Sequence, residues 1–135
     1  GIDSDIEYNL SIALGTSSLN LFELTTAYAT IANDGVLSKP YAVSSINNAY
    51  TGMFLYQDRQ IPEQRVISEE VARNVKLLLR NCVRNGSART ASLSSVAVSG
   101  KTGTSQDFRD AWFIGFSDKY VVGVWLGKDN YTPMK

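Results

Sequence analysis

The residues best suited to chemistry lie in one short run, Ser99-Gly100-Lys101-Thr102-Gly103-Thr104-Ser105. On an extended strand, alternation places Lys101 and Gly103 on one face and Thr102 and Thr104 on the other. Lysine supplies a positive charge and threonine a hydroxyl donor, so the run suits a carboxylate ligand. A backbone N–H here can act as an oxyanion donor, and Gly103 leaves room for a peptide to pair along the strand. The run therefore predicts the edge of an active site that binds an acyl group.

A second interpretation of the same run is a phosphate-binding loop. Gly100-Lys101-Thr102 matches the end of the P-loop pattern, and residues 96–98 would form the strand before it. That pattern also needs a glycine five residues before Gly100, where Ser95 stands, and a helix directly afterwards. Gly103 follows at once instead, so nucleotide binding is disfavoured.

Composition excludes several other kinds of site. The chain has 135 residues and no histidine, which rules out Ser-His-Asp and Cys-His catalysis within it and most zinc sites. The single cysteine, Cys82, is interpreted as a buried small hydrophobe. Lysine plus arginine and aspartate plus glutamate are both 13, which gives no support to nucleic-acid binding. No metal, no organic cofactor and no membrane-spanning segment are predicted.

Three strands are predicted around this run, at residues 96–105, 110–116 and 120–126. The links between them are short, which favours antiparallel neighbours and hence a meander. Apolar bulk for packing this sheet against helices comes from Trp112, Phe113, Phe116 and Trp125. The fold class predicted is α+β.

Two helices are predicted upstream. The first runs from Asn20, an N-cap followed by Glu23 in capping-box spacing, to Gly35. The second runs from Ser68 to Gly86. We expect one apolar and one polar face on each helix. The apolar residues are Leu24, Ala27, Tyr28, Ile31 and Ala32 on the first helix and Val71, Val75, Leu78, Leu79, Cys82 and Val83 on the second. The polar residues are Thr25, Thr26, Thr30 and Asn33 on the first and Arg73, Lys76, Arg80 and Arg84 on the second, where the basic residues are interpreted as solvated.

The segment between the helices is predicted to form a small hairpin followed by a loop. Residues 40–48 and 53–56 have strand-like composition and flank a turn at 49–52. Residues 57–66 are polar and contain Pro62, which predicts a loop.

Three segments of the second half carry a family resemblance: residues 101–105, 109–116 and 123–130. Together with residues 13–16 and 24–35, they resemble the C-terminal part of penicillin-binding protein transpeptidase domains, and the similarity covers residues 10–134. The tryptophan-rich segments are more similar to the bifunctional class A enzymes than to class B.

The resemblance implies the α+β fold of serine β-lactamases and transpeptidases. It also implies a D,D-transpeptidase that cross-links peptidoglycan stem peptides and is acylated by β-lactams. In that family a serine of a Ser-x-x-Lys motif attacks the D-Ala-D-Ala end of the stem peptide, and a Lys-Thr-Gly strand forms the facing wall. Carried over residue by residue, Lys101 supplies catalytic positive charge, and Thr102 and Thr104 bind the substrate carboxylate. The N–H of Thr104 is an oxyanion donor, and Gly103 belongs to the substrate-binding wall.

The catalytic serine of the family is not found in this sequence. No serine is followed by a lysine three residues later, and Ser45-Ile46-Asn47 matches the family's Ser-x-Asn motif in letters only. We therefore expect residues 1–135 to be the C-terminal portion of a transpeptidase domain, inactive alone and completed by the remainder of that domain. The resemblance places the parent protein at the extracytoplasmic face of the bacterial cytoplasmic membrane.

Two alternatives to the transpeptidase remain open. One is a non-catalytic module that only binds peptidoglycan peptides. The other is a fragment of a serine β-lactamase, which the segments around Trp112 and Trp125 disfavour.

Overall fold

A computed structural model describes residues 2–58 and 62–134. In chain order its elements are α1 (Leu21–Ala32), β1 (Ser45–Asn47), β2 (Phe54–Gln57), α2 (Glu69–Asn85), β3 (Ser99–Thr104), β4 (Asp110–Phe116) and β5 (Val121–Gly127). Short 3₁₀ segments lie at Leu10–Leu14, Arg89–Ala91 and Gln106–Phe108. The α+β class predicted from the sequence is confirmed.

The sheet that carries the Lys-Thr-Gly run is an antiparallel meander in the order β3-β4-β5. Helix α1 packs on β4 and β5, while α2 packs on β3 and against α1. Ile114 and Phe116 of β4 are buried on the side of the helices. Close packing leaves no room for a side chain at Gly123 of β5, where a Cβ atom would collide with the Thr25 hydroxyl of α1.

The predicted strand at 96–105 is shorter in the structure, because its first residues have nothing to pair with. Ser99 pairs with Phe116, the last residue of β4. Beyond Phe116 the chain turns, and the Ser117 N–H donates to the Tyr120 carbonyl at 2.9 Å. Residues 96–98 therefore continue past the end of β4 and stay outside the sheet.

The predicted hairpin is present as a separate two-stranded antiparallel sheet of β1 and β2, but its first strand, predicted at residues 40–48, is limited to Ser45–Asn47. Of the loop predicted at 57–66, residues 59–61 lie outside the described residues. Gln57 belongs to β2, and Arg65 forms an isolated antiparallel bridge with Val36.

The helices begin and end close to where the sequence predicts, but the buried faces differ. Thr26 and Thr30, predicted on the polar face of α1, are buried, and their hydroxyls donate to the carbonyls of Phe22 and Thr26 four residues earlier. This satisfies the hydroxyls, so their burial costs little.

On α2 the prediction of a single apolar stripe is wrong in part. Leu78 is 67% exposed, whereas Ala72 is fully buried. Lys76 and Arg80, predicted on the solvated face, are half-buried. The Lys76 ammonium donates to the Ala32 carbonyl at 2.7 Å and to the Asp34 carboxylate at 2.7 Å, so its long side chain joins α2 to the end of α1.

Asn20 caps α1, because its side-chain oxygen accepts a hydrogen bond from the Glu23 N–H at 2.9 Å. Asn20→Ala should lower the free energy of unfolding by about 1 kcal/mol, the usual contribution of an N-cap. Urea unfolding of the 135-residue chain measures this loss.

The matched control for the cap is Asn20→Ser, which keeps a capping oxygen and should unfold within a few tenths of a kcal/mol of the parent chain. An unchanged urea midpoint and slope for Asn20→Ala would show that the hydrogen bond contributes nothing measurable.

Candidate active site

The Lys-Thr-Gly run lies on β3, an edge strand of the sheet among the described residues. Lys101 and Gly103 are opposite Ile114 and Trp112 of β4, while Thr102 and Thr104 are opposite Phe113 and Ala111. Cross-strand partners share a face of the sheet, so the predicted alternation of the run is confirmed.

The hydrogen-bond pattern of β3 decides which backbone groups are free for a ligand. The Ser105 N–H donates to the Asp110 carbonyl at 3.1 Å, which makes this a hydrogen-bonded pair. In an antiparallel ladder such pairs recur at every second residue, so the odd-numbered residues of β3 bond to β4. The N–H groups of Thr102 and Thr104 therefore point to the open edge of the sheet.

Lys101 carries its charge to the same open edge. Its side chain is exposed, and its ammonium donates to the Thr102 carbonyl at 2.8 Å. Within residues 2–58 and 62–134, no carboxylate lies within ion-pair distance of Lys101. Among the described residues, a backbone carbonyl is therefore the hydrogen-bond partner that holds the positive charge at the strand edge.

The two threonines differ in their surroundings. Thr104 is exposed, whereas Thr102 is half-buried and donates a hydrogen bond to the Ser87 hydroxyl at 3.1 Å. Ser87 follows α2 and lies 15 residues from Thr102 in the sequence. No motif pointed to Ser87, because this contact depends on how α2 packs against β3.

Two tryptophans, on β4 and β5, lie on the same face of the sheet as Gly103. A Cβ atom at Gly103 would meet the Trp112 side chain at 3.3 Å, so glycine at this position also allows close packing of Trp112. The rings of Trp112 and Trp125 lie 6.3 Å apart, and the Trp125 indole N–H donates to the Asp110 carboxylate at 2.9 Å. This packing connects side chains of all three strands on that face of the sheet.

The connection from β3 to β4 holds two residues in an unfavourable backbone conformation. Asp107 and Phe108 have φ angles of 58° and 54°, in the left-handed region that bulky side chains avoid. The Phe108 carbonyl accepts from the Met134 N–H at 3.1 Å, which helps to hold this turn. The turn follows Thr104 directly, and no sequence pattern predicted its strained shape.

The start of β3 is fastened to both helices. The Ser99 hydroxyl donates to the Lys76 carbonyl of α2 at 3.4 Å, and the Lys76 side chain reaches Asp34. The hydrogen bond from Lys76 is the main cause that lowers the pKa of Asp34. Because this carboxylate is exposed, the pair contributes little stability, and that contribution is lost as the pH falls through the lowered pKa.

Other candidate residues are not brought to β3. Ser45 and Asn47 lie on the separate hairpin, outside the sheet that contains β3. Cys82 is a half-buried free thiol on α2. In the described part of the chain, no group of three His, Cys, Asp or Glu side chains could hold a metal ion, and no helix is long and apolar enough to cross a membrane.

The sequence profile of the penicillin binding protein transpeptidase domain matches residues 2–132. The chain belongs to this family. A curated relative, penicillin-binding protein 1A of Aquifex aeolicus, is 41% identical over 96% of the chain. Its name agrees with the class A type implied by the tryptophan-rich segments.

Solved structures show the same fold. Penicillin-binding protein PonA1 from Mycobacterium tuberculosis superposes with a TM-score of 0.81 at 27% identity, covering 93% of this chain and 35% of that one. Penicillin-binding protein A from the same organism, as a ceftriaxone acyl-enzyme complex, gives 0.66 at 26% identity, covering 79% of this chain and 26% of that one. The chain spans 17% of the Aquifex protein and 21% of another curated relative, penicillin-binding protein 4 of Bacillus subtilis.

Proposed function

We propose that this chain forms the Lys-Thr-Gly wall of a serine D,D-transpeptidase that cross-links peptidoglycan stem peptides and is acylated by β-lactams. The observation that carries the proposal is the open edge of β3. There the Lys101 ammonium and the N–H groups of Thr102 and Thr104 gather, in a chain of the transpeptidase family. The ceftriaxone acyl-enzyme of a structural relative supports the β-lactam part.

Substrate binding in this proposal uses the geometry of an edge strand. The D-Ala-D-Ala end of a stem peptide pairs along β3 through the backbone groups at its open edge. Its terminal carboxylate accepts hydrogen bonds from the hydroxyls of Thr102 and Thr104, and Lys101 provides the neutralising charge. A β-lactam carboxylate takes the same place.

Acyl transfer then follows in two steps. The catalytic serine, supplied by the remainder of the domain, attacks the carbonyl carbon of the penultimate D-Ala. The tetrahedral oxyanion that forms is stabilised by donors that include the Thr104 N–H. Collapse breaks the amide bond to the terminal D-Ala, whose nitrogen takes up the proton that the serine lost. An acceptor amine later attacks the serine ester, the ester C–O bond breaks, and the serine oxygen regains a proton from that amine as the new amide forms.

The proposed domain assignment is that residues 1–135 are the C-terminal portion of the transpeptidase domain, completed by its remaining part. One support is the outer face of the sheet, where Val122, Val124 and Leu126 are 44–62% exposed. A contiguous apolar face of this kind is typical of a surface that another element covers. Another support is that the sequence contains no Ser-x-x-Lys.

The proposed location follows from the proposed substrate. Peptidoglycan is cross-linked outside the cytoplasmic membrane, so the parent protein would act at the extracytoplasmic face of that membrane.

A peptide-release assay on the full-length parent protein tests this function. A synthetic stem peptide ending in D-Ala-D-Ala should release its terminal D-alanine, whereas a peptide ending in D-Ala-L-Ala should not. Prior incubation with benzylpenicillin should abolish the release and add one penicilloyl group per molecule.

The alternative of a non-catalytic module makes the opposite prediction. Such a module would bind the D-Ala-D-Ala peptide without releasing D-alanine and without any covalent penicilloyl adduct. That combination would overturn the proposed function.

A further inference from the structure

The Ser87 hydroxyl contacts the active-site strand, although Ser87 belongs to none of the family motifs identified in the sequence. Thr102 donates to the Ser87 Oγ at 3.1 Å across 15 residues of sequence. In the proposed function Thr102 binds the ligand carboxylate. Any residue that fixes the direction of the Thr102 hydroxyl therefore affects which ligands bind.

The backbone on both sides of Ser87 is firmly placed. The N–H groups of Gly86 and Ala88 both donate to the Cys82 carbonyl at 3.1 Å, and Ala88 is fully buried. A Cβ atom at Gly86 would lie 2.9 Å from the Cys82 carbonyl oxygen, so the chain passes tightly over the end of α2. Ser87 itself stays exposed, and its side chain is held towards β3 by this rigid support.

The two hydroxyls can reverse their hydrogen bond when a ligand arrives. A hydroxyl has one proton and two lone pairs, so each of these residues can donate or accept. In the free protein Thr102 donates to Ser87. When a carboxylate binds, the Thr102 proton can turn to this stronger, charged acceptor while Ser87 donates to the Thr102 oxygen. A chain of donors of this kind strengthens each bond within it.

We propose that Ser87 is a positioning residue that increases the preference of the site for ligands bearing a carboxylate. It acts through Thr102 and need not touch the ligand. This inference rests on the proposed function, because it assumes that the carboxylate binds at Thr102.

The test compares acylation of the full-length parent protein by benzylpenicillin and by its methyl ester, which lacks the charged carboxylate. The ratio of the two second-order rate constants measures carboxylate preference. Ser87→Ala should lower this ratio roughly three- to tenfold, the scale of one neutral hydrogen bond. Ser87→Thr keeps the hydroxyl and should restore the ratio to within about twofold.

Ser92→Ala is the matched control, since Ser92 is an exposed serine in the same connection, after the short 3₁₀ segment Arg89–Ala91. It should leave the ratio unchanged. If Ser87→Ala slowed acylation by the acid and the ester equally, its role would be merely structural and the inference would fall.

A double-mutant cycle separates this inference from the function on which it rests. If Ser87 acts through Thr102, Ser87→Ala should add almost nothing once Thr102 is valine. Additive effects, or a lower ratio in Thr102→Val with no change in Ser87→Ala, would overturn the role of Ser87 and leave the carboxylate site standing. A ratio unchanged by Thr102→Val would overturn both.

Discussion

Lys101→Ala in the full-length parent protein should slow acylation by benzylpenicillin about 100-fold or more, which is the usual scale for losing one preorganised electrostatic contact at an active site. In the proposed function the substrate ends in a carboxylate and the transition state develops an oxyanion, so both favour a fixed cation at the open edge of β3. The Lys101 ammonium already lies there, bonded to the Thr102 carbonyl at 2.8 Å. Stopped-flow measurement of the acylation rate constant tests this.

Lys119→Ala is the control for the loss of positive charge. Lys119 is an exposed lysine in the turn between β4 and β5. This turn follows the last residue of β4, whereas the turn after Thr104 precedes its first residue, Asp110. Its removal should leave acylation unchanged. Since Lys101 is exposed, its replacement should also leave thermal unfolding nearly unchanged. If the Lys101→Ala protein were acylated within twofold of the parent rate, Lys101 would be an ordinary surface residue.

Thr102→Val should slow acylation less than Lys101→Ala, because it removes one hydroxyl and no charge.

Local signals in the sequence were sufficient to predict most elements of the fold. Asn20 and Ser68 each accept a hydrogen bond from a backbone N–H three residues later, and so begin α1 and α2 where the capping pattern predicts. Strand β4 has the predicted bounds, because turns enclose it on both sides. Caps and turns act over a few residues, so they can be identified without knowledge of the tertiary contacts.

The faces that the helices bury could not be predicted in the same way. Periodicity identifies residues on a common face but not the surface that covers them. Lys76 is half-buried because its ammonium donates to the Asp34 carboxylate and to the Ala32 carbonyl at the end of α1, whereas Leu78 is exposed. Thr26 and Thr30 can be buried at little cost because their hydroxyls donate to carbonyls within α1.

Some features of the candidate site could likewise be predicted from local sequence, and others depend on tertiary contacts. Lys101 to Thr104 are consecutive, and their alternation on a strand follows from the sequence alone. The direction of the Thr102 and Thr104 N–H groups depends on the register with β4, which was identified only from the observed strand pairing. Ser87 becomes visible only when α2 is packed against β3.

The 135-residue chain alone should acquire no penicilloyl group when it is incubated with benzylpenicillin, whereas the full-length parent should acquire one. Acylation requires an activated nucleophile, and a serine is activated by a base placed next to it. The family uses the lysine of Ser-x-x-Lys for this, and no serine of this chain has that spacing. Intact-mass spectrometry of the two proteins under the same conditions makes the comparison.

Two serines lie close to the Lys-Thr-Gly run, and the prediction requires that neither of them is acylated. Ser105 follows Thr104 directly, and its hydroxyl accepts from the Asp110 N–H at 2.8 Å; Ser87 accepts from Thr102. Both hydroxyls are used in positioning the strand, so neither is expected to attack a lactam carbonyl. A stoichiometric adduct on the isolated chain, mapped by peptide sequencing to either serine, would show that this chain carries its own nucleophile. It would also refute the proposal that the remainder of the domain supplies the catalytic serine.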